Sequence, residues 1–105
     1  MSVSTDGIVA YGYPLPDEEL EYEGGLYGIT PVQLITHCSD GYPMYFVAIA
    51  SSYISASRGY PKKLETFRME RDTTWDQMIT AFAKEHYLPE PEPLQIGWHL
   101  MSYWG

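Results

Sequence analysis

The apolar positions of this chain fall into four short runs and one helical stripe. Gly7-Ile8-Val9-Ala10-Tyr11-Gly12-Tyr13 is a β-rich run closed by Pro14 and predicts a first strand. Val32-Gln33-Leu34-Ile35-Thr36-His37-Cys38 is β-branched with imperfect alternation, and Ser39-Asp40-Gly41 after it has turn chemistry. Met44 to Ala50 is nearly unbroken apolar, the pattern of a strand covered on both faces. These two runs predict a hairpin whose second arm is central in the sheet. Ser51 to Ser57 is small and polar and predicts no defined element. The connection after it has some strand character near Leu64 to Met69.

The period then changes. Trp75, Met78, Ile79, Phe82 and His86 stand at i, i+3, i+4, i+7 and i+11, one stripe of an amphipathic helix. Asp72, Thr73 or Thr74 can cap its start, and Thr74 with Gln77 has capping-box spacing. Pro89 stops it, and Pro91 and Pro93 keep the following chain extended. Ile96 to Trp104 predicts a last strand, with Ile96, Trp98, Leu100 and Trp104 on one face. Their burial would contribute several kcal/mol, at roughly 25 cal/mol per Å², so this strand is expected inside the sheet. The fold class expected is α+β: a small, mostly antiparallel sheet of about four strands with one amphipathic helix packed on a face. The helix lies between the third strand and the last, so that pair could run parallel through a right-handed crossover.

Length and charge narrow the picture. The chain has 105 residues, room for a single domain spanning 1–105. Fourteen acids against six bases give a net charge of −8, which argues against duplex nucleic acid or anionic lipid as a partner. No apolar run approaches the roughly 20 residues of a membrane span. One cysteine excludes an internal disulfide and fits a reducing cytosol, where the protein is expected to act. Residues 1–57 carry seven acids and no Lys or Arg, whereas Arg58, Lys62, Lys63, Arg68 and Arg71 crowd together. The stretch 14–25, with two prolines, five acids and Gly24-Gly25, predicts an exposed acidic loop. Pairing of that loop with the basic island of a second copy would give a homodimer.

The candidate chemistry is sparse. Cys38 is the one thiol, but its neighbour His37 points to the opposite face of a strand. His37, His86 and His99 show no ligand spacing, so no metal site is expected. There is no phosphate-cradling glycine motif and no nucleophile elbow, so neither a cofactor nor a catalytic residue is assigned. The unusual feature is ten tyrosines, three of them in Gly-Tyr-Pro at Tyr13, Tyr42 and Tyr60. The proline makes each tyrosine extended. These rings either cover sheet edges as part of the turns or form a contact surface of the kind paratopes build from tyrosine.

Asp6-Gly7-Ile8-Val9-Ala10-Tyr11-Gly12-Tyr13, Thr36-His37-Cys38 with Tyr42-Pro43-Met44-Tyr45, Ala56-Ser57-Arg58-Gly59-Tyr60-Pro61 and Ser102-Tyr103-Trp104-Gly105 resemble small, functionally undefined proteins of actinobacteria and their phages. The resemblance spans most of the chain. It implies an intracellular role, as a phage accessory protein acting in its host, and supplies no catalytic residues.

The function expected is therefore a non-enzymatic module that binds a protein partner in the cytosol. Its contact residues would be Tyr13, Tyr42, Tyr60 and Arg58, with Glu18, Glu19 and Glu21 steering approach. Two other expectations stand beside it. One is a small enzyme or ligand-binding domain with His37, Cys38 and Arg58 in one pocket. The other is an acidic nucleic-acid mimic.

Overall fold

A first strand flanked on both edges organises this fold, a computed structural model that describes residues 5–16, 31–39, 41, 43–64 and 69–104. Among the described residues the elements are β1 (Thr5–Pro14), β2 (Val32–Ser39), β3 (Pro43–Ile49), a 3-10 turn (Ala50–Ser52), β4 (Ile54–Ser57), α1 (Thr73–Glu85) and β5 (Gly97–Trp104). The class is α+β, with the helix packed on a five-stranded, mostly antiparallel sheet. β2 and β3 form the expected hairpin, from Val32 opposite Ile49 to Cys38 opposite Pro43. The fifth strand is β4, in the stretch from Ser51 to Ser57 where the residue pattern carries no period.

The strand order is β3-β2-β5-β1-β4, and β3 also pairs with β1. The pairings β1–β5, β5–β2, β2–β3 and β3–β1 thus close into a ring. β5 is antiparallel to β1 over eight residue pairs, and parallel to β2 at Cys38–Tyr103 and Ser39–Trp104. The expectation of a parallel pair between the third and last strands is corrected accordingly: the parallel neighbour of β5 is β2. Of the stretch 14–25 expected as an exposed acidic loop, residues 17–25 lie outside the described residues. Pro14 ends β1 opposite Phe46, and buried Leu15 donates its N–H to Tyr45 O at 3.0 Å.

Two local devices close the ring. Gly12 lies opposite Ala48, where an added Cβ would stand 1.7 Å from the Val47 carbonyl oxygen. Only glycine permits that approach. Farther along the same edge β1 pairs with β4, from Asp6 opposite Ser57 to Val9 opposite Ile54. The 3-10 turn bridges the gap between the two partners. Buried Ser52 accepts the Tyr11 N–H at 2.9 Å and donates to Ile49 O at 2.6 Å. A backbone donor that would otherwise be orphaned between β3 and β4 is satisfied there.

The helix begins where local chemistry expects it. Asp72 is the N-cap, and its Oδ1 accepts the Trp75 N–H at 3.0 Å; Asp72 takes this place instead of Thr74. Ile79, Phe82 and Ala83 are buried against Tyr11, Tyr13, Leu34, Val47 and Ile49, with Trp75 and Met78 packed at the margin. At the other end Leu88 N–H reaches Ala83 O at 2.9 Å and Tyr87 N–H reaches Lys84 O at 3.4 Å. This is a Schellman closure, with Tyr87 at φ 54° in the place that favours glycine. Leu88 is buried beneath it.

Ser52→Ala is expected to lower stability by about 1–3 kcal/mol through the unsatisfied Tyr11 N–H, read from the urea midpoint. Tyr87→Gly is expected to raise it by about 0.5–1 kcal/mol. Tyr87 is 95% exposed, so the glycine relieves the left-handed strain and loses no packing; an unchanged or lowered midpoint would refute that account.

Candidate partner-binding surface

Side chains opposite one another in the β1–β5 ladder share a face, which extends the helix-bearing face beyond the helix. Tyr11 and Trp98 are paired under α1, Val9 and Leu100 come next, and Gly7 and Ser102 after them. β4 adds Ile54 beside Val9 and Ala56 beside Gly7. The face therefore carries an aliphatic row, Ile54-Val9-Leu100, and then a row of small residues, Ala56-Gly7-Ser102. Beyond the small row stand Trp104 on β5 and Arg58 after β4.

This arrangement makes a shallow trough of about 560 Å³, lined by Gly7, Ala56, Arg58, Leu100 and Ser102 together with Asp6 and Met101. Gly7 is its floor: a Cβ there would meet nothing within 4 Å. Leu100 is 81% exposed and Trp104 57% exposed. The expectation that Leu100 and Trp104 are buried with Trp98 is thus overturned. They do share a face with Trp98, but α1 covers only the end of it that holds Tyr11 and Trp98. Trp98 is anchored there, with its Nε1 donating to Glu70 O at 3.0 Å.

Arg58 and Tyr60 stand on the exposed turn that leaves β4. Tyr60 N–H bonds Ser57 O at 2.9 Å, Gly59 takes φ 82°, and the Tyr60 side is 77% exposed. Tyr13 is a correction. It is 1% exposed in the main core, and its hydroxyl donates to Pro89 O at 2.6 Å, because odd-numbered residues of β1 face the helix. It offers no ring to a partner. Tyr42, Glu18, Glu19 and Glu21 lie outside the described residues. Nothing in the residue pattern marks the exposure of Leu100 or the floor at Gly7; the alternation in β5 marks the face of Leu100 but not what covers it.

His37, Cys38 and Arg58 are not gathered in this trough, which contains neither His37 nor Cys38. Along the sheet Cys38 lies opposite Tyr103, Tyr103 opposite Asp6, and Asp6 opposite Ser57. Three strand spacings separate the two ends, about 14 Å. Cys38 is a free thiol at φ 77°. On the face away from the helix, Phe46 packs edge-on to His99 at 5.2 Å and to His37 at 6.5 Å between ring centroids. His99 Nε2 lies 3.2 Å from Gln95 O, whereas the buried Nε2 of His37 has no hydrogen-bond partner among the described residues. Among the described residues no three His, Cys, Asp or Glu side chains cluster as metal ligands. No helix there is long and apolar enough to cross a membrane.

Comparison with protein-family models, curated proteins and solved structures finds no match.

Burial lowers the His37 pKa from its ordinary value, since the charged ring would lose its hydration without gaining a partner. The neutral ring therefore contributes stability that is complete above the unfolded value of about 6.5 and is lost as pH falls through the lowered folded value. Between about pH 7.5 and pH 5 the urea midpoint of the natural protein is expected to fall relative to that of His37→Leu. Parallel pH profiles for the two proteins would refute it.

Proposed function

We propose that this protein is a non-enzymatic protein-binding module acting in the cytosol, and that it engages its partner with the bare half of the helix-bearing face. The observation that carries this reading is the trough floored by Gly7. Leu100 lines it and Trp104 ends the same strand, both exposed; Arg58 lines it too, and Tyr60 is exposed two residues farther along the chain. Single exposed apolar residues are ordinary, but a contiguous row beside a concave floor is what interfaces use. The free thiol of Cys38 fits a reducing compartment. An accessory role in a host cell, which the sequence resemblance implies, belongs to the same proposal.

The surface can be tested without disturbing the fold, because Gly7 sits in open space and valine favours strands. Gly7→Val and Leu100→Ser are each expected to keep the melting temperature within about 3 °C of the natural protein. Immobilised natural protein is expected to retain specific proteins from a cell lysate, and both variants are expected to lose them. Variants that fold and retain the same proteins would overturn the assignment of this face.

A further inference from the structure

We propose that the protein forms a two-fold symmetric dimer in which the free edge of β4 pairs with the same edge of a second copy, Ser55 lying on the axis. β4 stands at the end of the strand order, and among the described residues β1 is its one strand partner. Its residues, Ile54-Ser55-Ala56-Ser57, include neither proline nor a charged side chain, the devices that usually guard an open edge.

Which backbone groups of β4 are open follows from β1. Leu15 N–H goes to Tyr45 O and Tyr11 N–H to Ser52 Oγ, so the odd-numbered residues of β1 turn their N–H and C=O towards the side of β3 and β4. Backbone direction alternates along a strand. Val9 therefore bonds its register partner Ile54, and Gly7 bonds Ala56. Ser55, with Tyr53 and Ser57 on either side, points its backbone groups away from β1. Two groups of this outward set are already occupied within the chain. Tyr53 N–H donates to Ala50 O at 3.3 Å, and Ser57 O accepts the Tyr60 N–H at 2.9 Å. The open set is the Tyr53 carbonyl, both groups of Ser55 and the Ser57 N–H.

That set is its own complement. In an antiparallel pairing centred on Ser55, each Ser55 exchanges N–H and C=O with its copy, and each Ser57 N–H meets the Tyr53 carbonyl of the other chain. The interface is isologous, the commonest way for identical chains to associate. The same set decides against a foreign strand. An ordinary strand on this edge would bring a C=O opposite the occupied Tyr53 N–H and an N–H opposite the occupied Ser57 O. A desolvated group left without a partner costs about as much as a hydrogen bond gains. In a second copy those same two groups are occupied too, so nothing is left over. Each chain carries a net charge of −8, but β4 itself is uncharged. This contact is therefore distinct from pairing of the acidic stretch with the basic island, which salt would dissolve.

Sedimentation equilibrium of the full chain tests the proposal. A monomer–dimer equilibrium is expected, half-associated at about 0.1 mM. Raising salt from about 0.05 M to about 0.5 M is expected to leave it as tight or tighter, because chains of like charge meet through an uncharged strand. Ser55→Pro removes an outward N–H and none that bonds β1. It is expected to weaken the dimer at least about tenfold and to keep a cooperative urea transition. Ala56→Pro, whose N–H faces β1, is expected to lower the urea midpoint instead. Ser55→Lys and Ser55→Glu are each expected to be monomeric and their equimolar mixture to dimerise, since only an axis through Ser55 sets the two side chains opposite one another. That readout stands whether or not proline is tolerated. A natural chain still monomeric at about 1 mM, a dimer indifferent to Ser55→Pro, a dimer dissolved by salt, or a Lys and Glu mixture that stays monomeric would each overturn the proposal. A capped Thr-Val-Thr-Val-Thr peptide that binds the chain more tightly than a second copy does would also overturn it, and would assign the edge to foreign strands.

Discussion

The hydrogen bonds of Tyr11 hold together parts of the chain that are distant in sequence. Its N–H goes to Ser52 Oγ, its hydroxyl donates to Asp76 Oδ1 at 2.6 Å, and the same hydroxyl accepts the Asp72 N–H at 3.0 Å. Its ring packs against Trp75 and Trp98 at 5.3 and 5.4 Å between centroids. One buried residue of β1 thus ties the 3-10 turn, the N-terminus of α1 and β5 to a single point. Burial, and then the bond to Asp76, raises the phenol pKa above its ordinary value, so the group stays a neutral donor. With Asp72 also capping the helix, the position of α1 on the sheet follows from where Tyr11 stands.

That anchoring explains why part of the helix-bearing face is left bare. A helix of thirteen residues is about 20 Å long, and it is pinned at one end over Tyr11 and Trp98. It cannot also cover the Gly7 end of the same face. The ring of strands keeps that end in place. β1 has β5 on one edge and β3 followed by β4 on the other, so the bare rows stand on a strand paired on both sides. The surface proposed to meet a partner is backed by paired sheet, an arrangement that lowers the ordering cost of binding.

The elements were legible in the residue pattern because their causes are local. The helical stripe from Trp75 to Phe82 and the apolar run of β3 depend on residues a few positions apart, and Asp72 caps through its near neighbours. The candidate site was legible only in part. Arg58 stands at the trough and Tyr60 is exposed, but the identical tripeptide at Gly12-Tyr13-Pro14 buries its ring. Proline makes both tyrosines extended, and nothing within three residues says which face of a strand will meet a helix that lies sixty positions later.

From its order of residues alone, this chain is an acidic α+β domain with one amphipathic helix, a β2–β3 hairpin and a C-terminal strand, since periodicity, capping and turn chemistry act over short range. Tertiary structure alone decided the rest: that β5 joins β1 and β2, that Gly12 must admit a carbonyl oxygen while Gly7 faces open space, and that Leu100 stays in water while Trp98 is partly buried against the core. These outcomes depend on which backbone approaches which across the sheet and on where the helix stops. The same residue type has opposite roles at two positions because burial belongs to the assembled surface and not to the side chain.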